Sequence, residues 1–144
     1  MYKHILVAVE LSDESDSLID KAAVYAKKFN ADVSLIYIDS THGEIYTEFF
    51  DMNLSESKSN VSEKTNRYFE RFISRSEVPI KVALVGTGNI SNKLPDVIEK
   101  HEIDLLICGH HHDFWSHFIS TSRQLINTSL VDILVHPIVG KKGE

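Results

Sequence analysis

Residues 109–124 read GHHHDFWSHFISTSRQ and follow the apolar run IDLLIC at 103–108. A glycine, three consecutive histidines, an aspartate and an arginine so close together suggest three chemistries: metal ligation, nucleophilic or acid–base catalysis, and the holding of a phosphate. Three neighbouring ligands such as His110, His111 and His112 do not converge easily on one ion, because adjacent side chains diverge in helical and extended backbone. His112, Asp113 and His117 are better spaced, five and four apart. The simpler reading is that these histidines pack and hydrogen-bond a tight loop, so no metal is assigned; they can still register pH, with an ordinary pKa near ~6.5. Cys108 abuts Gly109, yet nothing orients a histidine toward it, and apolar neighbours raise a thiol pKa. It is also the one cysteine, which excludes a disulfide or cysteine zinc site within a single chain. No catalytic residue is assigned, and the chain reads as a non-enzyme. Trp115, Phe118 and Ile119 recur at helical spacing and read as core.

The elements that would position these residues are marked by short apolar runs: ILVAV at 5–9, VSLIYI at 33–38, IDLLIC at 103–108, VDILVH at 131–136, and a weaker IKVALVG at 80–86. They are nearly continuous and rich in Val, Ile and Leu, as strands covered on both faces are. Between them lie segments of helical period. In 13–29, Leu18, Ala22, Ala23, Ala26 and Phe29 recur, with Ser12 or Asp13 as the expected cap. In 56–76, Val61, Thr65, Tyr68, Phe69, Phe72 and Ile73 form a stripe. Residues 91–101 offer Leu94, Val97 and Ile98 behind Ser91 or Asn92 as cap, and Pro95 requires that helix to begin late. A fourth helix is expected over 114–128. Residues 40–55, STHGEIYTEFFDMNLS, are long for a connection and carry aromatics, which marks a functional segment or one ordered against the body. The alternation predicts an α/β fold: one domain over 1–144, a doubly wound parallel sheet with helices on both faces.

With 42% hydrophobic and 25% charged residues, the composition is that of a globular protein. A formal net charge of -6 argues against nucleic acid or an anionic membrane bound through bulk charge. The start, MYKHILVAVELSDES, returns to charge too quickly for a signal peptide or a membrane span, so a cytoplasmic location is expected.

In open parallel sheets ligands bind beyond the carboxyl ends of the strands, where strand order reverses. Glu10, Asp39 and the stretch from Gly109 fall there. The segments KHILVAVELSDES, IYTEFFDMNLS and GHHHDFWS with the later STSRQLINTSLVDILVHPI resemble the universal stress proteins over nearly the whole chain. They are most similar to the branch typified by universal stress protein A. The resemblance implies a five-stranded Rossmann-like parallel sheet, ordered 3-2-1-4-5 when the apolar runs are counted along the chain. It also implies a cytoplasmic homodimer paired through the last strand, a role in stress survival, and serine/threonine phosphorylation at a position that spacing does not assign among Ser120, Thr121, Ser122 and Ser129.

The ATP-binding branch of that family follows its fourth strand with Gly-x2-Gly-x9-Gly-[Ser/Thr]. The glycines let backbone N–H groups approach phosphate oxygens at a helix N-terminus. Here Gly109 matches the first position, but His112, Ser122 and Arg123 occupy the others, and Glu10 stands where Asp is common. Glu10, Asp39, Gly109, His112, Ser122 and Arg123 therefore read as a degenerate nucleotide cleft, and no cofactor is expected. The alternative is a nucleotide-binding regulatory module with an altered phosphate cleft, in which Glu10, Gly109 and Arg123 hold the ligand. Arg123 otherwise pairs with Glu10 or Asp39. The final segment, VDILVHPIVGKKGE, would leave an open sheet edge unless a second subunit pairs with it about a twofold axis. Val131, Ile133, Leu134, Val135 and Pro137 are the expected contacts, and Pro137 ends the ladder. Further protein partners are expected but not identifiable.

Overall fold

A computed structural model describes residues 1–39, 50–53, 61–87, 90–110 and 131–137. The strands are β1 (His4–Ala8), β2 (Asp32–Asp39), β3 (Phe50–Asp51), β4 (Ile80–Thr87), β5 (Leu105–His110) and β6 (Asp132–Pro137); the helices are α1 (Asp16–Phe29), α2 (Glu63–Arg75) and α3 (Ile90–Lys100). The sheet runs β3-β4-β2-β1-β5-β6. Its five longer strands are all parallel. Counted by apolar runs, they stand in the expected order 3-2-1-4-5. The structure adds a sixth, two-residue strand from within the 40–55 connection: β3 lies antiparallel on the outer edge of β4.

Alternation along the strands sorts the core into two layers. Ile5 and Val7 join Ala22, Ala26, Phe69 and Phe72 on the face covered by α1 and α2. Leu6 and Ala8 join Leu94, Val97 and Ile98 on the face covered by α3. Every residue of β1 is buried, which explains its unbroken apolar run at the centre of the sheet.

The helix ends differ from expectation in two places. Neither Ser12 nor Asp13 caps α1. A 3-10 turn over Asp13–Ser15 precedes it, and the Ser15 hydroxyl is turned away from the helix. In α3 the helix begins at Ile90, so Pro95 lies inside it and Ser91 and Asn92 are helical rather than capping. The lost turn, about 3 kcal/mol, is offset by burial of Leu94, Val97 and Ile98, each worth about 1.5–3 kcal/mol. The other ends follow ordinary rules. Asn30 takes the left-handed conformation that terminates α1 (φ 55°, ψ 49°), and Ser62 caps α2 by accepting the Thr65 N–H at 3.1 Å. The expected helix over 114–128 lies outside the described residues.

A register shift interrupts the β2–β4 ladder between Val33 and Leu35. There the Ser34 hydroxyl accepts the Val82 N–H at 3.2 Å and meets His4 Nε2 at 2.7 Å, while His4 Nδ1 lies 2.9 Å from the His101 carbonyl. Every partner is satisfied when Nδ1 carries the proton and Nε2 accepts from Ser34. This polar bridge ties three strands together at the amino end of the sheet, opposite the mouth.

Candidate functional site

The sheet brings Glu10, Asp39 and Gly109 to one end, as expected. Past β1, the Val9 N–H still pairs with the Ile36 carbonyl at 2.9 Å, and Glu10 is half-buried. Its backbone is already fully engaged. The Ser15 Oγ accepts the Glu10 N–H and donates to the Glu10 carbonyl, both at 2.9 Å. The Ser12 N–H reaches the same carbonyl at 2.9 Å. Ser15 is buried, and sequence reading missed it because its partner is in the preceding loop rather than in the helix it starts. Asp39 closes β2 in register with Thr87. Gly109 is buried inside β5, which continues to His110, and pairs with His136 of β6. His112, Ser122 and Arg123, and with them any pairing of Arg123 with Glu10 or Asp39, lie outside the described residues.

Beside the mouth, the start of α1 carries its own charges. Asp13 and Glu14 sit in the 3-10 turn and Asp16 in the first helical turn, where a positive helix end favours carboxylates. Arg71 of α2 donates to both Asp13 and Asp16, and Arg75 bonds Asp20 at 2.7 Å and lies 3.7 Å from Asp16. A phosphate approaching this helix end would meet carboxylates already in place. Cys108 is fully buried, and burial pushes its thiol up to about 12, which leaves it protonated at neutral pH. Among the described residues no group of three or more His, Cys, Asp or Glu is placed to hold a metal ion. His111, His112 and His117 are not among them.

The second candidate surface is the β6 edge. Val131 and Ile133 pack on the α3-side core and Leu134 on the α1-side core. Val135 is 37% exposed and Pro137 is exposed. Among the described residues, β6 has a ladder partner on one side only, β5. Next to it runs a groove of about 620 Å³, lined by Tyr2, Tyr25, Phe29, Leu105, Leu134 and Val135 among others. Tyr2 packs edge-on against Phe29 with ring centres 5.2 Å apart. Its hydroxyl donates to Asp132 at 2.6 Å, a bond that raises the Tyr2 pKa. The contribution of Tyr2 and Tyr25 to this surface was not legible in the sequence, since Tyr2 and Asp132 meet only through the β1–β5–β6 order. His136 is half-buried on the same strand. Among the described residues its buried Nδ1 has no hydrogen-bond partner, and burial, with the Lys21 charge acting the same way, lowers its pKa.

A parallel α/β sheet, doubly wound, with its mouth at β1 and β5, defines the class. The family model described as the universal stress protein family matches residues 1–137. Universal stress protein A of Yersinia pestis is 44% identical over 137 residues, covering 95% of this chain and 93% of that relative. Universal stress protein UspA from Lactobacillus plantarum superposes with a TM-score of 0.60 at 18% identity, covering 94% and 97% of the two chains. A universal stress protein solved in complex with cAMP gives 0.62 at 16% identity, over 96% and 98%. The chain belongs to the universal stress protein family, and a stress-response role comes with that membership. No helix among the described residues is long and apolar enough to cross a membrane.

Proposed function

We propose that this chain acts in the cytoplasm as a homodimer joined through β6, with no enzymatic activity and no resident nucleotide, supporting stress survival through protein partners or through its abundance. The observation that carries the reading is the asymmetry of the sheet. β6 is a six-residue strand whose outer edge has no ladder partner among the described residues, with an apolar groove beside it. An unpaired edge of that length is an aggregation hazard unless a second copy takes it up.

Two features support the nucleotide-free part. His112, Ser122 and Arg123 replace small residues where backbone would have to approach phosphate. The Glu10 N–H at the mouth is already bonded to Ser15. Calorimetric titration with Mg-ATP, together with sedimentation of the untagged protein, tests the whole reading. A dimer that evolves no saturable heat at millimolar nucleotide is expected. Micromolar binding, or a monomer, would overturn the corresponding part.

A nucleotide-binding alternative draws on the relative solved with cAMP, which shares only 16% identity with this chain. Titration with cAMP in the same experiment decides it.

A further inference from the structure

We propose that the outer edge of β4 is a latent pairing surface for a second copy of this chain, held shut by residues 50–53 so that self-association is confined to β6. The pairing through β6 is the reading given above; the closure of β4 stands on separate contacts.

β4 is the other terminal long strand of the sheet and would, bare, present the same row of unpaired N–H and C=O groups as β6. Four residues engage that row between Ile80 and Val85. Phe50 pairs with Val85, and Asp51 with Leu84. The Met52 N–H donates to the Ala83 carbonyl at 2.6 Å. Side chains then take over from backbone. Asp51 Oδ1 accepts the Ala83 N–H at 3.2 Å, and Asn53 Nδ2 donates to the carbonyls of Ile80 and Lys81 at 3.3 and 3.2 Å. The same Asp51 oxygen accepts the Asn53 N–H at 3.0 Å, which folds the segment into a tight turn against the edge. Met52 is 3% exposed and pinned in the α1-side core beside Phe69, so the clasp is anchored as well as hydrogen-bonded.

Side-chain groups of Asp51 and Asn53 occupy positions that a longer strand would fill with backbone, so the backbone ladder laid on β4 is only two residues long. The difference matters for assembly. With both edges open, β6 of one copy could add to β4 of the next, a head-to-tail contact that does not close and runs into a filament. With β4 shut, β6 is the long strand left open among the described residues, and pairing through it alone closes as a twofold pair.

The test is the full chain carrying Asp51→Ala and Asn53→Ala, compared with the parent by sedimentation velocity, with near-ultraviolet circular dichroism to confirm the fold. The expected result is a concentration-dependent species of at least twice the parent mass in the variant alone. A parent dimer with a variant of unchanged mass overturns the closure of β4 and leaves pairing through β6 standing. A monomeric parent overturns the β6 pairing; in that case a self-associating variant still supports the closure and a monomeric variant removes it. Should the double variant unfold, Asn53→Ala alone, which deletes two bonds made by an exposed side chain, is read in the same way.

Discussion

Ser15 holds the backbone of Glu10 with both functions of its hydroxyl, accepting the N–H and donating to the carbonyl at 2.9 Å each. The contact closes the loop between β1 and α1 and orders the mouth of the sheet. Ser15→Ala removes both bonds and strands a part-buried N–H, a change worth about 1–3 kcal/mol. Urea unfolding should show a loss in that range with an unchanged denaturant slope. A loss indistinguishable from zero would mean that water replaces the hydroxyl and the clasp does not order the loop.

Arg71 joins the turn before α1 to its first helical turn by bonding Asp13 and Asp16. Arg71 and Asp13 are 43% and 58% exposed, so solvent screening discounts that pair, whereas the Asp16 side chain is only 13% exposed. Arg71→Met keeps much of the stem and removes the charge. The expected cost is a small loss of stability at low salt, as for other solvent-screened ion pairs, shrinking at 1 M salt where the Debye length falls to about 3 Å. An equal cost at both salt concentrations would assign the effect to packing of the stem.

Acid should weaken the fold through two histidines. Burial is the main cause that lowers both His101 and His136 from the ordinary 6.5, and neighbouring lysines (Lys100 and Lys21) act in the same direction. With the folded pKa below the unfolded one, the unfolded chain binds more protons as pH falls below 6.5. Stability is therefore fully present above that value and declines below it, levelling once the folded rings also protonate. Urea midpoints at pH 7.5 and 5.5 measure the decline, and His101→Asn with His136→Asn should flatten it. An equally steep decline in the double variant would place the acid sensitivity elsewhere.

Cys108 should be silent toward thiol reagents. Its side chain is fully buried, and its pKa is pushed up to about 12, so at pH 8 only about one part in ten thousand is thiolate. Labelling with a maleimide should proceed at the rate of global opening and become fast in urea. Rapid native labelling would mean that β5 opens locally far more often than a central strand should.

The sheet was legible in advance because continuous apolar runs mark doubly covered strands wherever they occur. ILVAV and IDLLIC became the two strands that meet at the mouth, and the five-strand order matched expectation. The candidate cleft was legible only in part. Glu10, Asp39 and Gly109 were placed at the correct end by topology, but the engagement of Glu10 by Ser15 was not. A serine before a helix carries the same signal whether its hydroxyl turns forward as a cap or backward to the preceding loop. Pro95 misled for a related reason, since local rules charge the lost bond without crediting the burial of Leu94, Val97 and Ile98.

The sequence by itself determined the alternation of strands and helices and the family, because these are properties of local pattern and composition. Only the tertiary structure decided which polar groups meet: Ser34 with His4 and Val82, Tyr2 with Asp132, and residues 51–53 with the edge of β4. Those partners are 27 to 130 positions apart. Their meeting depends on strand order and register, which are set by packing the whole core at once and leave no periodic trace in any one segment.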